Sequence, residues 1–345
     1  MLRVEGAADT HPIGPEQINP PQGEAAARAA GEQTGQDSQT KLFELRFAGN
    51  ILAAKINRPS PPSPAPQSPN LTTTGGSTET TYRIGDPSRP PIRHDNGFLQ
   101  NPNDPTDPNP IPTVPPSQAD KDYYDSELNR AKWAQRAIAL GLDKVPFTPH
   151  ELDLPDGIDA YRHFLDGNGT DRTFSYDKFV NDDQSGKTTL NNATTDLQKG
   201  VEDLYNQMIA RDPSLKDKPI TFNVTGGAIP VGDSGKFPYP DTENWQKAIG
   251  AHVIWTSATV TVNPSSTPGG KPEFSMKMTL HAEDRYNFNP GAHDIATGVP
   301  DATRGKLEQT GLAHQYMNYA TLDRDVTWTQ GSINDTTTSK QPGGR

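Results

Sequence analysis

Proline is the feature that most limits what this chain can become. Of its 34 prolines, 20 lie at or before Pro116. Each one fixes φ and lacks a backbone N–H, so a segment dense in them neither continues a helix nor pairs regularly in a sheet. The stretches PSPPSPAPQSP (59–69) and NPNDPTDPNPIPTVPP (101–116) read as semi-rigid polyproline spacers. Hydrophobic residues make up 31% of the chain, and even with its 30 glycines added it falls short of the apolar share of about 45–50% in a globular domain. Such a segment buries too little apolar surface to offset its ordering entropy. Residues 1–117 are therefore expected to form a disordered leader. One island within it, Lys41 to Ile56, is apolar enough for a short helix or strand.

Beyond the leader the pattern becomes helical. Ser117-Gln-Ala-Asp120 has the form of a capping box with Asp in the place of Glu. Tyr124, Leu128, Ala131, Ala134 and Ile138 then recur at helical spacing up to Gly141. A second helix is expected near Ile158–Leu165, closed by Asp166-Gly-Asn-Gly169. The longest runs from Thr188 to Ala210, with Leu190, Ala193, Leu197, Val201, Leu204 and Met208 on one face. From Lys218 the period drops to two. Ile220, Phe222 and Val224 alternate, as do Ile254, Ala258, Val260 and Val262, and then Phe274, Met276, Met278 and Leu280. Leu322, Val326 and Trp328 mark a last strand. The expected fold is α+β: the leader, a small helical subdomain over 118–216, a twisted antiparallel β-sheet domain over 217–331, and a flexible tail over 332–345.

Charge and composition remove several functions. The net charge of -11 disfavours nucleic acid as a partner, because phosphate binding needs a basic face. With no cysteine, disulfides, thiolate nucleophiles and Cys-ligated metals are excluded. No run of about 18 apolar residues is present, so no transmembrane helix is expected. The first twenty residues lack the apolar core of a Sec signal peptide, which leaves a non-Sec route if the protein is secreted. Half-motifs add little. Asp166–Asp171 starts like a calcium loop but fails at two ligand positions, and Ser185-Gly-Lys-Thr188 lacks the first glycine of a P-loop.

The richest chemistry lies in HAEDRYNFNPGAHDIATGVPD, residues 281–301. Alternation places Asp284 and Tyr286 on the face opposite His281, Glu283 and Arg285, and Pro290-Gly291 ends the strand ahead of His293, Asp294 and Asp301. Carboxylates, an imidazole and a phenol at one sheet edge suit a general acid–base set or an oxygen/imidazole site for a hard metal. Asn, Asp and Pro-Gly also satisfy the backbone of any tight turn. The residues assign no metal ligand set and name no cofactor.

Two resemblances bear on function. Residues 161–328, with WQKAIGAH (245–252), AEDRYNFNPG (282–291) and DIATGVPD (294–301), resemble the C-terminal domain of bacterial secreted effectors and polymorphic toxins. Asp284-x-Tyr286-Asn287-x5-His293-Asp294 is similar to the motif Asp-x-Tyr-Asp-x5-His-Arg of colicin M-type bacteriocins, which cleave the lipid-linked peptidoglycan precursor. Asn287 and Asp294 depart from it, and the extra acid beside His293 is expected to repel a diphosphate. The resemblance implies a secreted effector or toxin acting on a host or competitor-cell target, with a secretion chaperone or immunity protein as partner. On this reading Asp284, Tyr286 and His293 are the catalytic candidates of a hydrolase, and His314 is a binding partner. The alternative is a non-enzymatic adaptor, in which a sheet face with Trp245 and Trp255 binds the target and Ser-Pro pairs in the leader are phosphorylated.

Overall fold

The computed structural model describes residues 72–75, 80–145 and 147–340. The island at Lys41–Ile56, the spacer at 59–69 and the last five residues lie outside them. Among the described residues nine strands form one sheet. In chain order the elements are β1 (Thr72–Gly75), β2 (Thr80–Ile84), α1 (Gln118–Ala139), α2 (Pro155–Asp166), β3 (Arg172–Thr173), α3 (Tyr176–Asp182) and α4 (Gln184–Arg211). They continue with β4 (Ile220–Gly226), β5 (Ile229–Val231), α5 (Glu243–Ala248), β6 (His252–Asn263), β7 (Glu273–Tyr286), α6 (Ala302–Gln309), β8 (Tyr316–Thr329) and β9 (Thr337–Lys340). The strand order is β1-β2-β4-β6-β7-β8-β3, with β5 on β6 and β9 on β8. Every pair is antiparallel except β3–β8. The fold is α+β.

The helices start where their caps place them. Ser117 and Asp120 form a reciprocal capping box at α1. Asp183 caps α4 by accepting from Ser185 N at 2.9 Å, and it also accepts from Thr242 N at 2.8 Å. Ser185-Gly-Lys-Thr is thus a capped helix start. Asp166-Gly-Asn-Gly169 closes α2, with Asn168 and Gly169 at φ 52 and 71.

The 28 residues of α4 lie along one sheet face. Leu190, Ala193, Leu197, Val201 and Leu204 share a core with Phe222, Val224, Ile254, Val260, Phe274, Met276, Met278, Leu280 and Trp328. The expected helical subdomain and sheet domain therefore share this core. A second, aromatic cluster joins α1, α2 and α6 to the end of the sheet through Tyr161, Phe164, Leu307 and Tyr316.

Residues 80–117, expected in the leader, are part of the fold. Tyr82 of β2 is fully buried. It packs so close to Gly200 in the middle of α4 that a Cβ there would lie 2.4 Å from its ring. Glycine, usually unfavourable inside a helix, is what admits the strand. Residues 85–116 then form a strap over the far side of the sheet. The Arg89 guanidinium donates twice to Glu283, and His94 Nε2 lies 2.9 Å from the same carboxylate. Val114 N donates to Gln309 O at 2.8 Å, which carries the strap past α6. An extended strap needs no ladder of N–H donors, so its prolines do not oppose it. The expected tail likewise contributes β9, paired with β8.

Candidate active site

Strand β7 delivers the site. Its inward face carries Phe274, Met276, Met278, Leu280 and Ala282 over the α4 core, and then Asp284 and Tyr286, which meet α2 and α5 instead. Register sets Asp284 opposite Asn318 and Tyr286 opposite Tyr316. Tyr286 stacks on Tyr316, with ring centroids 5.1 Å apart and an interplanar angle of 10°. Burial pushes the Tyr286 phenol well above its ordinary range.

After β7 the chain folds back as an ordered loop. Asn287 Nδ2 donates to the backbone and side chain of Asp95 in the strap. Phe288 N donates to Glu308 Oε1 at 3.0 Å, and Asn289 N donates to Asp301 Oδ2 at 3.1 Å. His293 forms an isolated bridge with Pro300, and Asp294 N donates to Val299 O at 2.9 Å. Asp294 also forms an ion pair with Lys247 on α5. The lysine and the Thr297 donors hold its carboxyl below the usual carboxylate range, outweighing burial. The charge expected to repel a diphosphate is therefore compensated.

The loop, α2 and α5 enclose a cavity of about 390 Å³ whose lining includes Asp284, Tyr286, His293, Asp301 and Arg304. The wall helices are fastened together by Asn244 of α5, whose Oδ1 accepts from Asp156 N and Gly157 N at the start of α2. Leu154, Ile158, Ile249 and Ile295 supply an apolar wall. The sequence motif thus brings all three of its candidates to one cavity.

Two further groups come from α6 and the residue that precedes it. Asp301 is 9% exposed, and burial raises its carboxyl above the ordinary value although Asn289, Arg304 and His293 act the other way. A carboxyl shifted upward in a cleft is a marker of function. The Arg304 guanidinium lies over the rings of Tyr161 and Phe288, 5.4 and 5.8 Å from their centroids. Among the described residues no carboxylate is within ion-pair distance of it. Helix α6 reaches this position because Gly305 lies against Phe98 of the strap; a Cβ there would sit 2.0 Å from the ring. Behind the loop, burial pushes the Glu308 carboxyl up to about 8, helped by Asp95 and Asp301.

The other candidates lie elsewhere. Trp245 is 1% exposed inside the core against Phe179. Trp255 is 7% exposed and stacked on His281, with centroids 3.7 Å apart. Neither tryptophan presents a free sheet face. His314 is exposed in the turn before β8 and does not line the cavity. Among the described residues no group of three His, Asp or Glu is placed to hold a metal ion.

No protein-family model matches the chain, and no curated protein matches it significantly. Among solved structures, similarity was found to PaeM, a colicin M-like bacteriocin produced by Pseudomonas aeruginosa, with 14% identity and a TM-score of 0.28. The match covers 51% of this chain and about half, 52%, of that one. Similarity at this level does not establish a shared fold.

Proposed function

We propose that this protein is a secreted bacterial toxin whose cavity hydrolyses a phosphate ester or anhydride bond in an anionic substrate of the target cell. The observation that carries the reading is the convergence of Asp284, Tyr286 and His293 on one cavity together with Asp301 and Arg304. His293 takes the proton of the attacking water. Asp301, whose carboxyl burial raises, returns a proton to the leaving oxygen. Arg304 stays charged and faces the negative charge that develops on phosphorus. Asp284 orients the imidazole or the water, and Tyr286 forms the floor. The substrate that the motif resemblance implies is the lipid-linked peptidoglycan precursor, whose diphosphate suits a cation such as Arg304. The adaptor alternative is less favoured because both of its tryptophans are buried.

Growth inhibition on expression in a susceptible bacterium tests this reading. The Asp284→Ala/His293→Ala double variant should lose toxicity while keeping the circular-dichroism spectrum of the parent. Undiminished toxicity in that variant would refute the enzymatic reading.

A further inference from the structure

Seven large hydrophobic side chains are exposed among the described residues: Val114, Trp133, Leu140, Leu142, Val145, Phe147 and Val299. Five of the seven lie between 133 and 147. Trp133 and Arg136 lie on the exposed side of α1, away from its buried Ala131, Ala134 and Ala137, and Leu140, the residue that caps the helix, continues that side at i+7. The chain then turns at Gly141 and presents Leu142, Val145 and Phe147. Phe147 is the extreme case. It is fully exposed, and its φ of 67 is a left-handed conformation that costs a bulky residue energy. In water neither feature has a return.

The surroundings specify what covers this patch. Arg136 and Lys144 are exposed beside it and make no ion pair among the described residues. Within a chain of net charge -11, residues 128–148 hold four cations and one anion; Arg130 and Lys132 pair with Glu127 and Asp166, which leaves Arg136 and Lys144 as the cations that face solvent at the patch. A tryptophan and a phenylalanine projecting with aliphatic residues, flanked by basic side chains, match the boundary between lipid headgroups and acyl chains. The patch also adjoins the cavity. His150 and Glu151, a few residues past Phe147, line it, as does Val299, another of the exposed seven.

We infer that the Trp133–Phe147 surface docks this protein onto an anionic phospholipid membrane, with the mouth of the cavity beside the bilayer. The inference does not depend on the chemistry assigned to the cavity. The protein contains its own reporter, because of its 4 tryptophans only Trp133 is exposed, at 49%, against 1%, 7% and 4% for Trp245, Trp255 and Trp328.

The test is intrinsic fluorescence and co-sedimentation of the full chain with vesicles of phosphatidylcholine and phosphatidylglycerol. Emission should shift to the blue on binding, and Trp133→Phe should remove the shift without removing binding to the pellet. Leu140→Ser/Phe147→Ser should weaken binding by more than about tenfold, given the apolar area withdrawn, with unchanged circular dichroism. Arg136→Gln/Lys144→Gln should weaken binding to these vesicles severalfold and remove its dependence on phosphatidylglycerol. A wild-type chain that stays in the supernatant, or a Leu140→Ser/Phe147→Ser variant that binds like wild type, overturns the inference. So does an absence of binding with Trp133 shielded from acrylamide, which would mean that another segment of the chain or a second copy covers the patch.

Discussion

Strand β7 has one inward face with two fates. Between Phe274 and Ala282 that face is sealed under α4, and its side chains are buried in the main core. Two and four residues further, Asp284 and Tyr286 point the same way but meet α2, α5 and a cavity. The alternation is unbroken, so period alone cannot distinguish the halves. What differs is the cover, a long apolar helix at one end and a polar loop with short helices at the other. A strand can thus carry its site on the face that elsewhere makes the core, which fixes Asp284 and Tyr286 to a strand paired with β8 along its length.

Substitutions that separate the halves come first. Phe274→Ala is expected to destabilise the protein by about 3–5 kcal/mol in denaturant unfolding. Asp284→Ala, in the other half, should cost no more than about 1 kcal/mol because no large apolar contact is lost. A comparable loss at both positions would erase the distinction.

The strap provides the next contrast. Glu283 is buried on the outward face and held by Arg89 and His94. Arg89→Ala leaves that carboxylate short of donors and should cost about 1–3 kcal/mol, although Arg89 lies in a Pro-rich segment. Unchanged stability would show that the strap merely lies on the sheet.

The two regions also titrate in opposite directions. Burial lowers His252, in the core against Tyr176, to about 4 from 6.5. The unfolded chain therefore binds the extra proton first, so stability rises with pH from about 4 to 6.5 and is lost as pH falls. Glu308, beside the loop, is raised from 4.5 to about 8. Its folded form keeps a proton that the unfolded form gives up, so its contribution is present below 4.5 and is lost as pH rises to about 8. His252→Gln should flatten the acid limb of the stability profile and Glu308→Gln the alkaline limb, each read from melting temperature against pH. Both limbs moving together in either variant would contradict this assignment.

Much of the fold could be read from periodicity and caps. The capping box at Ser117, the apolar face of α4 and the alternation of β4, β6, β7 and β8 all coincide with the observed elements. The strap could not be read this way. Proline content reports that a segment lacks its own ladder, but not that it lies on another surface through Arg89 and His94. The site was half legible. Asp284, Tyr286 and His293 showed as a spaced motif, whereas Asp301 and Arg304 lie at the start of a helix, ATRGKLEQ, whose single leucine gives no apolar period. Pro300-Asp301 ahead of it was the available signal for a helix start. The tryptophans misled for different reasons: Trp245 lies on the short helix α5 and packs inward, and Trp255 lies on β6, where an aromatic residue does not disclose which face of the strand is covered. Asp294 misled because the lysine that neutralises it lies 47 residues away.

Turnover tests most directly whether the cavity at the end of β7 is a hydrolytic site in which Arg304 supplies a cation. Purified full-length protein would be given a lipid-linked diphosphate precursor, together with simpler phosphodiesters, and cleavage followed by phosphorus NMR. The wild type should cleave the lipid-linked diphosphate. Asp284→Ala, His293→Ala and Arg304→Ala should each slow it by about 10²–10⁴-fold, with melting temperatures close to the parent. Wild-type protein that cleaves none of these substrates, or a His293→Ala variant that cleaves at the parental rate, would contradict a hydrolytic site there.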